Sequence, residues 1–132
     1  MLPVNGKTAI VRTCTFYSML FEQRYGFKPI LKYPMLGKVL KPVLDQFSEW
    51  QVALLVLTFM NWQGADNNSD FEKRKLQDKC YPLNWMPMNI NAYIAFAKNY
   101  LGIAFEDENE VKEYVIDTLQ GLKLRFNEVE NG

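Results

Sequence analysis

The run from Ser48 to Trp62 (SEWQVALLVLTFMNW) is the densest apolar segment of the chain, and it limits what the chain can fold into. It opens with Ser48 and Gln51 at capping-box spacing, where each side chain can satisfy an orphan backbone donor of a helix first turn. Behind that cap, Trp50, Val52 to Leu57, Phe59, Met60 and Trp62 are apolar. Trp50, Ala53, Leu54 and Leu57 share one helical face, while Val52, Val56 and Phe59 cover other sides. A helix apolar nearly all round belongs in the middle of a domain. Each large side chain buried there contributes roughly 1.5–3 kcal/mol before ordering costs. The expectation is a central helix over about residues 48–62, against which the others pack.

The flanking sequence supplies partners of the same kind. Ile10, Cys14, Tyr17 and Phe21 recur at helical spacing, with Phe16 and Leu20 alongside, and Gly26 stands where a left-handed cap ends a helix. Pro29 and Pro34 make the next stretch extended or turning. A second helix then starts near Pro34 or Met35 with the stripe Leu36, Leu40, Val43, Leu44 and Phe47. Pro42 either kinks that helix or splits it, and a kink is the expectation. Ser69 and Glu72 form another capping box before a short helix of weak apolar face, Phe71–Cys80. Residues 81–89 (YPLNWMPMN) are too apolar for a free loop, and most of them should lie on the core. Asn89 or Asn91 should cap a helix stopped by Gly102. Asp107 and Glu110 should cap a last one with Val111, Tyr114, Val115, Thr118, Leu119, Leu122 and Phe126 on one face. No segment alternates at period two long enough for a strand. The fold class read here is all-α, a compact array of five or six helices around the central one. It is a single domain over 1–132, with loose ends at about 1–7 and 128–132.

The chain has no histidine and two cysteines, Cys14 and Cys80. The commonest general base and the commonest metal ligand are therefore missing, and no disulfide framework or zinc set can be drawn. No glycine-rich phosphate loop is present, and the acids from Glu106 to Glu110 lack a glycine-turned calcium loop. The expectation is a non-enzymatic protein with no cofactor and no metal. The longest apolar run falls short of the ~20 residues that cross a bilayer, so no membrane contact is expected.

Charge is balanced overall but not along the chain. Residues 1–44 carry seven cations against Glu22 alone, and residues 106–132 carry eight acids against three cations. One reading is that the two ends pack together and neutralise. The other is a separate basic surface, and the stretch from Arg24 to Lys41 has the composition for it. Arg24, Lys28, Lys32, Lys38 and Lys41 surround Tyr25 and Tyr33. Cations neutralise phosphates and exposed aromatics stack on bases, the combination used on single strands. Lys38 and Lys41, three apart, share a helix face away from Leu36, Leu40 and Leu44. These seven residues are the candidate nucleic-acid contacts, for single-stranded DNA rather than a sequence-specific duplex.

Residues 21–30 (FEQRYGFKPI), followed by Gly37 to Lys41 (GKVLK) with Leu44 and then a capped apolar helix, resemble small helical modules of phage replication proteins. In these replisome-organiser and helicase-loader relatives, a YG-x-x-P turn precedes a lysine-x-leucine helix. Tyr81 to Trp85 and the aromatic helix from Tyr93 to Tyr100 are similar to how such modules end, so the resemblance covers about residues 16–102. It implies a part in phage or mobile-element DNA replication, in the cytoplasm of a bacterial host, through contact with DNA or a helicase. It brings no catalytic residues. The stretch lacks the winged-helix or ATP-binding domain of such proteins, so a stand-alone initiator or ATPase role is not implied. The alternative is a protein-interaction module, such as a small phage inhibitor of a host protein. It would act through Phe71–Cys80, the Trp85–Met88 loop and the acidic last helix. A homodimer closing on spare apolar surface of Trp50 to Trp62 is a third reading.

Overall fold

A computed structural model describes the backbone of residues 1–64 and 83–131, with side chains described for 1–60 and 83–122. Among the described residues there are five α-helices and no strand. They are α1 (Ala9–Tyr25), α2 (Tyr33–Gln46), α3 (Glu49–Gly64), α4 (Ile90–Phe96) and α5 (Glu108–Asn131). A 3-10 helix, Leu83–Asn89, leads into α4, and a π-helical turn, Ala97–Leu101, follows it. The expected Ser69-capped helix lies outside the described residues. None of the described helices is long and apolar enough to cross a membrane.

The all-α array is organised as its apolar pattern requires. All nine residues from Val52 to Met60 are buried, and α3 touches α1, α2, α4, α5 and the 3-10 helix. The capping box forms in both directions: Gln51 N donates to Ser48 Oγ at 3.2 Å, and Ser48 N donates to Gln51 Oε1 at 2.9 Å. Gln51 also donates through Nε2 to the Phe105 carbonyl at 3.1 Å, which ties the approach to α5 onto the start of α3. The homodimer reading needed spare apolar surface on this helix. Trp50 and Val52 to Met60 are buried within one chain, while the Trp62 side chain lies outside the described residues.

Helix α1 buries Cys14, Phe16, Tyr17, Leu20 and Phe21 on the expected side. It ends at Gly26, whose φ of 82° needs no Cβ penalty and whose N–H reaches the Glu22 carbonyl at 2.8 Å. Helix α5 buries Val111, Val115, Leu119 and Leu122, and Asp107 Oδ1 accepts from the amides of Asn109 and Glu110. Its backbone runs helically to Asn131, beyond the expected loosening at 128.

Four features refine the sequence expectation, three of them by departing from it. Residues 1–7 are not a loose leader. Leu2 is 1% exposed, and its amide donates to Glu49 Oε2 at 2.6 Å. The same carboxylate takes a two-pronged bond from Arg12, through Nε at 2.9 Å and NH2 at 2.8 Å, while Arg12 NH1 reaches the Gly6 carbonyl at 3.1 Å. Gly6 sits at φ 150°, and a Cβ there would come within 2.8 Å of Arg12, so only glycine fits this turn.

Pro42 does not split its helix. Helix α2 is continuous, and Pro42 lies on its exposed side, where water can solvate the Lys38 carbonyl that lacks an N–H partner.

Residues 83–89 are helical, not a linker. A three-residue repeat turns Leu83 and Met86 inward and leaves Trp85 and Met88 exposed, so only half of that apolar run lies on the core.

Asn89 precedes α4 without a side-chain cap, and the π turn interrupts the helix before its stop at Gly102.

Candidate nucleic-acid interface

The candidate residues lie on three consecutive pieces: the end of α1, the proline-bounded link 26–32, and α2. Past the Gly26 cap the chain reverses, and Phe27 packs edge-on against Phe21, with ring centres 5.3 Å apart. Tyr25 lies 4.6 Å from the same Phe21 ring and 6.5 Å from Phe27. Arg24 carries its guanidinium 5.7 Å over the Tyr25 ring and donates through NH1 to the Met60 carbonyl at 2.8 Å. Arg24 therefore fastens the end of α1 to α3, and Tyr25 packs among the rings that close the end of α1. Tyr25, half-buried among aromatic rings, is no open stacking platform.

The other five candidates face water. Lys28, Lys32, Lys38 and Lys41 are exposed, and Tyr33 keeps 45% of its surface. No acidic residue occurs between Glu22 and Asp45, so the sequence places no neutralising charge within this stretch. Among the described residues the one ion pair is Arg12–Glu49, and none of these four lysines is paired. The acidic helix α5 packs on α3 and α1. Lys112 on α5 sits 5.4 Å over the Trp50 ring, on the opposite charge background from the four lysines. The electrostatic setting adds to the basic side chains: Lys32 occupies the N-cap of α2 and makes no side-chain cap bond. The positive end of the helix dipole lies beside it, with first-turn N–H groups on Tyr33 and Met35 but not on Pro34.

Sequence reasoning missed the apolar component of the same face. Ile30 is 92% exposed, and Phe27 and Met35 are exposed as well. A groove of about 350 Å3 opens beside them, lined by Tyr17, Ile30, Leu31, Lys32, Met35, Leu36, Leu83 and Asn84. The signal was faint. Ile30 and Leu31 stand between two prolines, with no periodic pattern to say which side is buried.

Among the described residues two buried groups are held in their protonated forms. Burial pushes the Cys14 thiol up to about 11 and the Tyr93 hydroxyl up to about 12, so both are protonated at neutral pH. Burial also works to raise the Glu49 carboxyl. The Arg12 hydrogen bond, the Leu2 amide and the attraction of Arg12 and the N-terminal amine outweigh it, and the group is held below its ordinary value. This region is a structural clasp on the far side of the charge ledger from the solvated lysines.

Compared with known proteins, the chain matches no family model, and no match is found among curated proteins or among solved structures.

Proposed function

We propose that the chain is a non-enzymatic accessory module of phage-type or mobile-element DNA replication that contacts single-stranded DNA through the outer face of α2 and the link before it. The observation that carries this reading is the exposure of Lys28, Lys32, Lys38 and Lys41 around a half-open Tyr33, with no acidic partner among the described residues. The lysines neutralise successive phosphates, and Tyr33 stacks on a base. Arg24 and Tyr25 support this face from below rather than touching the strand.

Fluorescence anisotropy with a labelled oligothymidine tests it. Four phosphate contacts to a single strand give a slope of log affinity against log salt of roughly −3. No binding at low salt removes the reading.

A second reading has its own observation. Trp85 and Met88 on the 3-10 helix are exposed at 45% and 74%, which suits contact with a partner protein such as a replicative helicase or another host protein. A stable complex with purified helicase, lost on Trp85→Ala and Met88→Ser but indifferent to the four lysines, would favour it.

A further inference from the structure

The groove beside the lysines has a floor and a rim of different character. Tyr17, Leu36 and Leu83 are buried and form the floor, while Ile30 and Met35 stand exposed at the rim. Its volume of about 350 Å3 falls within the range of small-molecule sites, about 300–1,000 Å3. Two polar residues line it: Asn84, half-buried, and Lys32, exposed at the N-cap of α2.

We propose that this groove takes one unstacked base of a bound single strand, so that the strand is held by a second base besides the one stacked on Tyr33. This rests on the reading that the basic face binds single strands. A planar base slides between the aliphatic edges of Ile30 and Met35 onto the apolar floor. The Asn84 amide offers one acceptor and two donors to the base edge, enough to bond any base without selecting one strongly. The phosphate of that nucleotide falls to Lys32 at the positive end of α2, where the backbone N–H groups of Tyr33 and Met35 remain as donors and Pro34 has none. Lys28 and Lys38, both exposed, stand four residues before and six after Lys32 in the chain and supply further cations for neighbouring phosphates. An amphipathic helix from a partner protein needs a row of anchors at i, i+3, i+4 and i+7, and one compact pocket holds a single planar group better.

The experiment compares an oligothymidine with a strand of equal length made of abasic sites, by anisotropy at low salt, for the natural chain, Ile30→Ser and Asn84→Ala. Ile30 is 92% exposed, so its substitution leaves the fold intact. The natural chain should bind the abasic strand on the order of tenfold more weakly than the intact one. Ile30→Ser should lose a similar factor on the intact strand and little on the abasic one, since the rim then has no base to hold. Because Tyr33 stacking alone also weakens the abasic strand, the pocket is read from the variant: Ile30→Ser silent on the intact strand overturns the base pocket and leaves the basic face standing. Failure of the natural chain to bind either strand removes the functional reading and the pocket with it. An acidic leucine-containing peptide whose binding depends on Ile30, beside strand binding that does not, assigns the groove to a protein partner and overturns the proposal.

Discussion

Six of the seven cations of the first 44 residues, all but Lys7, fall into two groups that the structure treats in opposite ways. Arg12 and Arg24 point at fixed acceptors, the Glu49 carboxylate and the Met60 carbonyl, and each joins α1 to α3. Lys28, Lys32, Lys38 and Lys41 meet water, with no ion pair among the described residues. The division follows the side chains. A guanidinium is a planar fork that matches a carboxylate in two parallel bonds and tolerates partial burial, whereas an ammonium is a compact, strongly hydrated charge on a flexible stem. Counting positive charge along the chain lumps the two together. Only the second group has no acceptor among the described residues.

The sharpest way to break this division is on α2 itself, where Leu40 and Lys41 are neighbours in sequence and opposites in setting. Leu40 is fully buried and Lys41 is exposed. Leu40→Ala should destabilise by about 2–5 kcal/mol, measured by urea denaturation. Lys41→Ala should stay within about 0.5 kcal/mol of the natural chain. A large cost for Lys41→Ala would mean that this lysine, like the arginines, belongs to the fold.

The clasp gives the next largest effect. Glu49→Gln keeps the shape but removes the charge that Arg12 grips, and stability should fall by less than in Leu40→Ala but clearly more than in Lys41→Ala. The pH dependence has a definite sign. The Glu49 carboxyl is held below its ordinary value of 4.5, so it binds a proton less readily in the folded chain than in the unfolded one. Its contribution is therefore fully present above 4.5 and is lost as pH falls through the lowered folded value. The natural chain should lose stability on acidification more steeply than Glu49→Gln, and the two curves should converge once the carboxyl is protonated. Parallel curves would show that the clasp contributes nothing beyond shape.

These tests also mark how far the sequence could be read. The helix ends were legible because their signals are local: Ser48 answers Gln51 three residues on, and Gly26 and Asp107 act within one turn. The seven residues before α1 read as a loose leader because the partner of Leu2 is Glu49, and no spacing within the leader announces a contact across 47 residues. Residues 83–89 were misread for a different reason. Their repeat is three, so an apolar run that looked uniformly core-facing splits into Leu83 and Met86 inside and Trp85 and Met88 outside. At the candidate site the solvent exposure of the four lysines was legible from a stretch with no acid between Glu22 and Asp45. Arg24 and Tyr25 were not, since the carbonyl that holds Arg24 belongs to Met60, 36 residues away. The groove was invisible because residues 30–36 and 83–84 make it together.

A smaller effect sharpens the outer group. Lys38→Ala should leave stability unchanged, weaken oligothymidine binding severalfold and reduce the salt slope by about 0.7, the share of one phosphate contact. Arg24→Ala should do the reverse, lowering the melting temperature while leaving the salt slope in place, because its guanidinium serves the Met60 carbonyl. If Arg24→Ala lowers the slope as Lys38→Ala does, the arginine reaches the strand after all, and the division between the two groups is drawn one residue too early.

The smallest expected effect concerns the backbone between Lys38 and Lys41. Pro42 withholds the N–H that the Lys38 carbonyl would accept, and its exposed position lets water replace that bond. Helix propensity favours alanine over proline by about 3 kcal/mol in a helix interior. Two terms reduce that gain. The native backbone has already adjusted to the ring, and proline restrains the unfolded chain, worth about 0.4–1 kcal/mol to the natural sequence. Pro42→Ala should therefore stabilise by about 1 kcal/mol, read as a higher urea midpoint. The same substitution restores a regular turn beneath the two lysines and changes how they are presented. A variant that is more stable yet binds oligothymidine less tightly would place Pro42 with the outer face, as a residue kept for what the lysines do. Unchanged binding would mean that the two ammonium groups reach their phosphates through their flexible stems, whatever the backbone beneath them does.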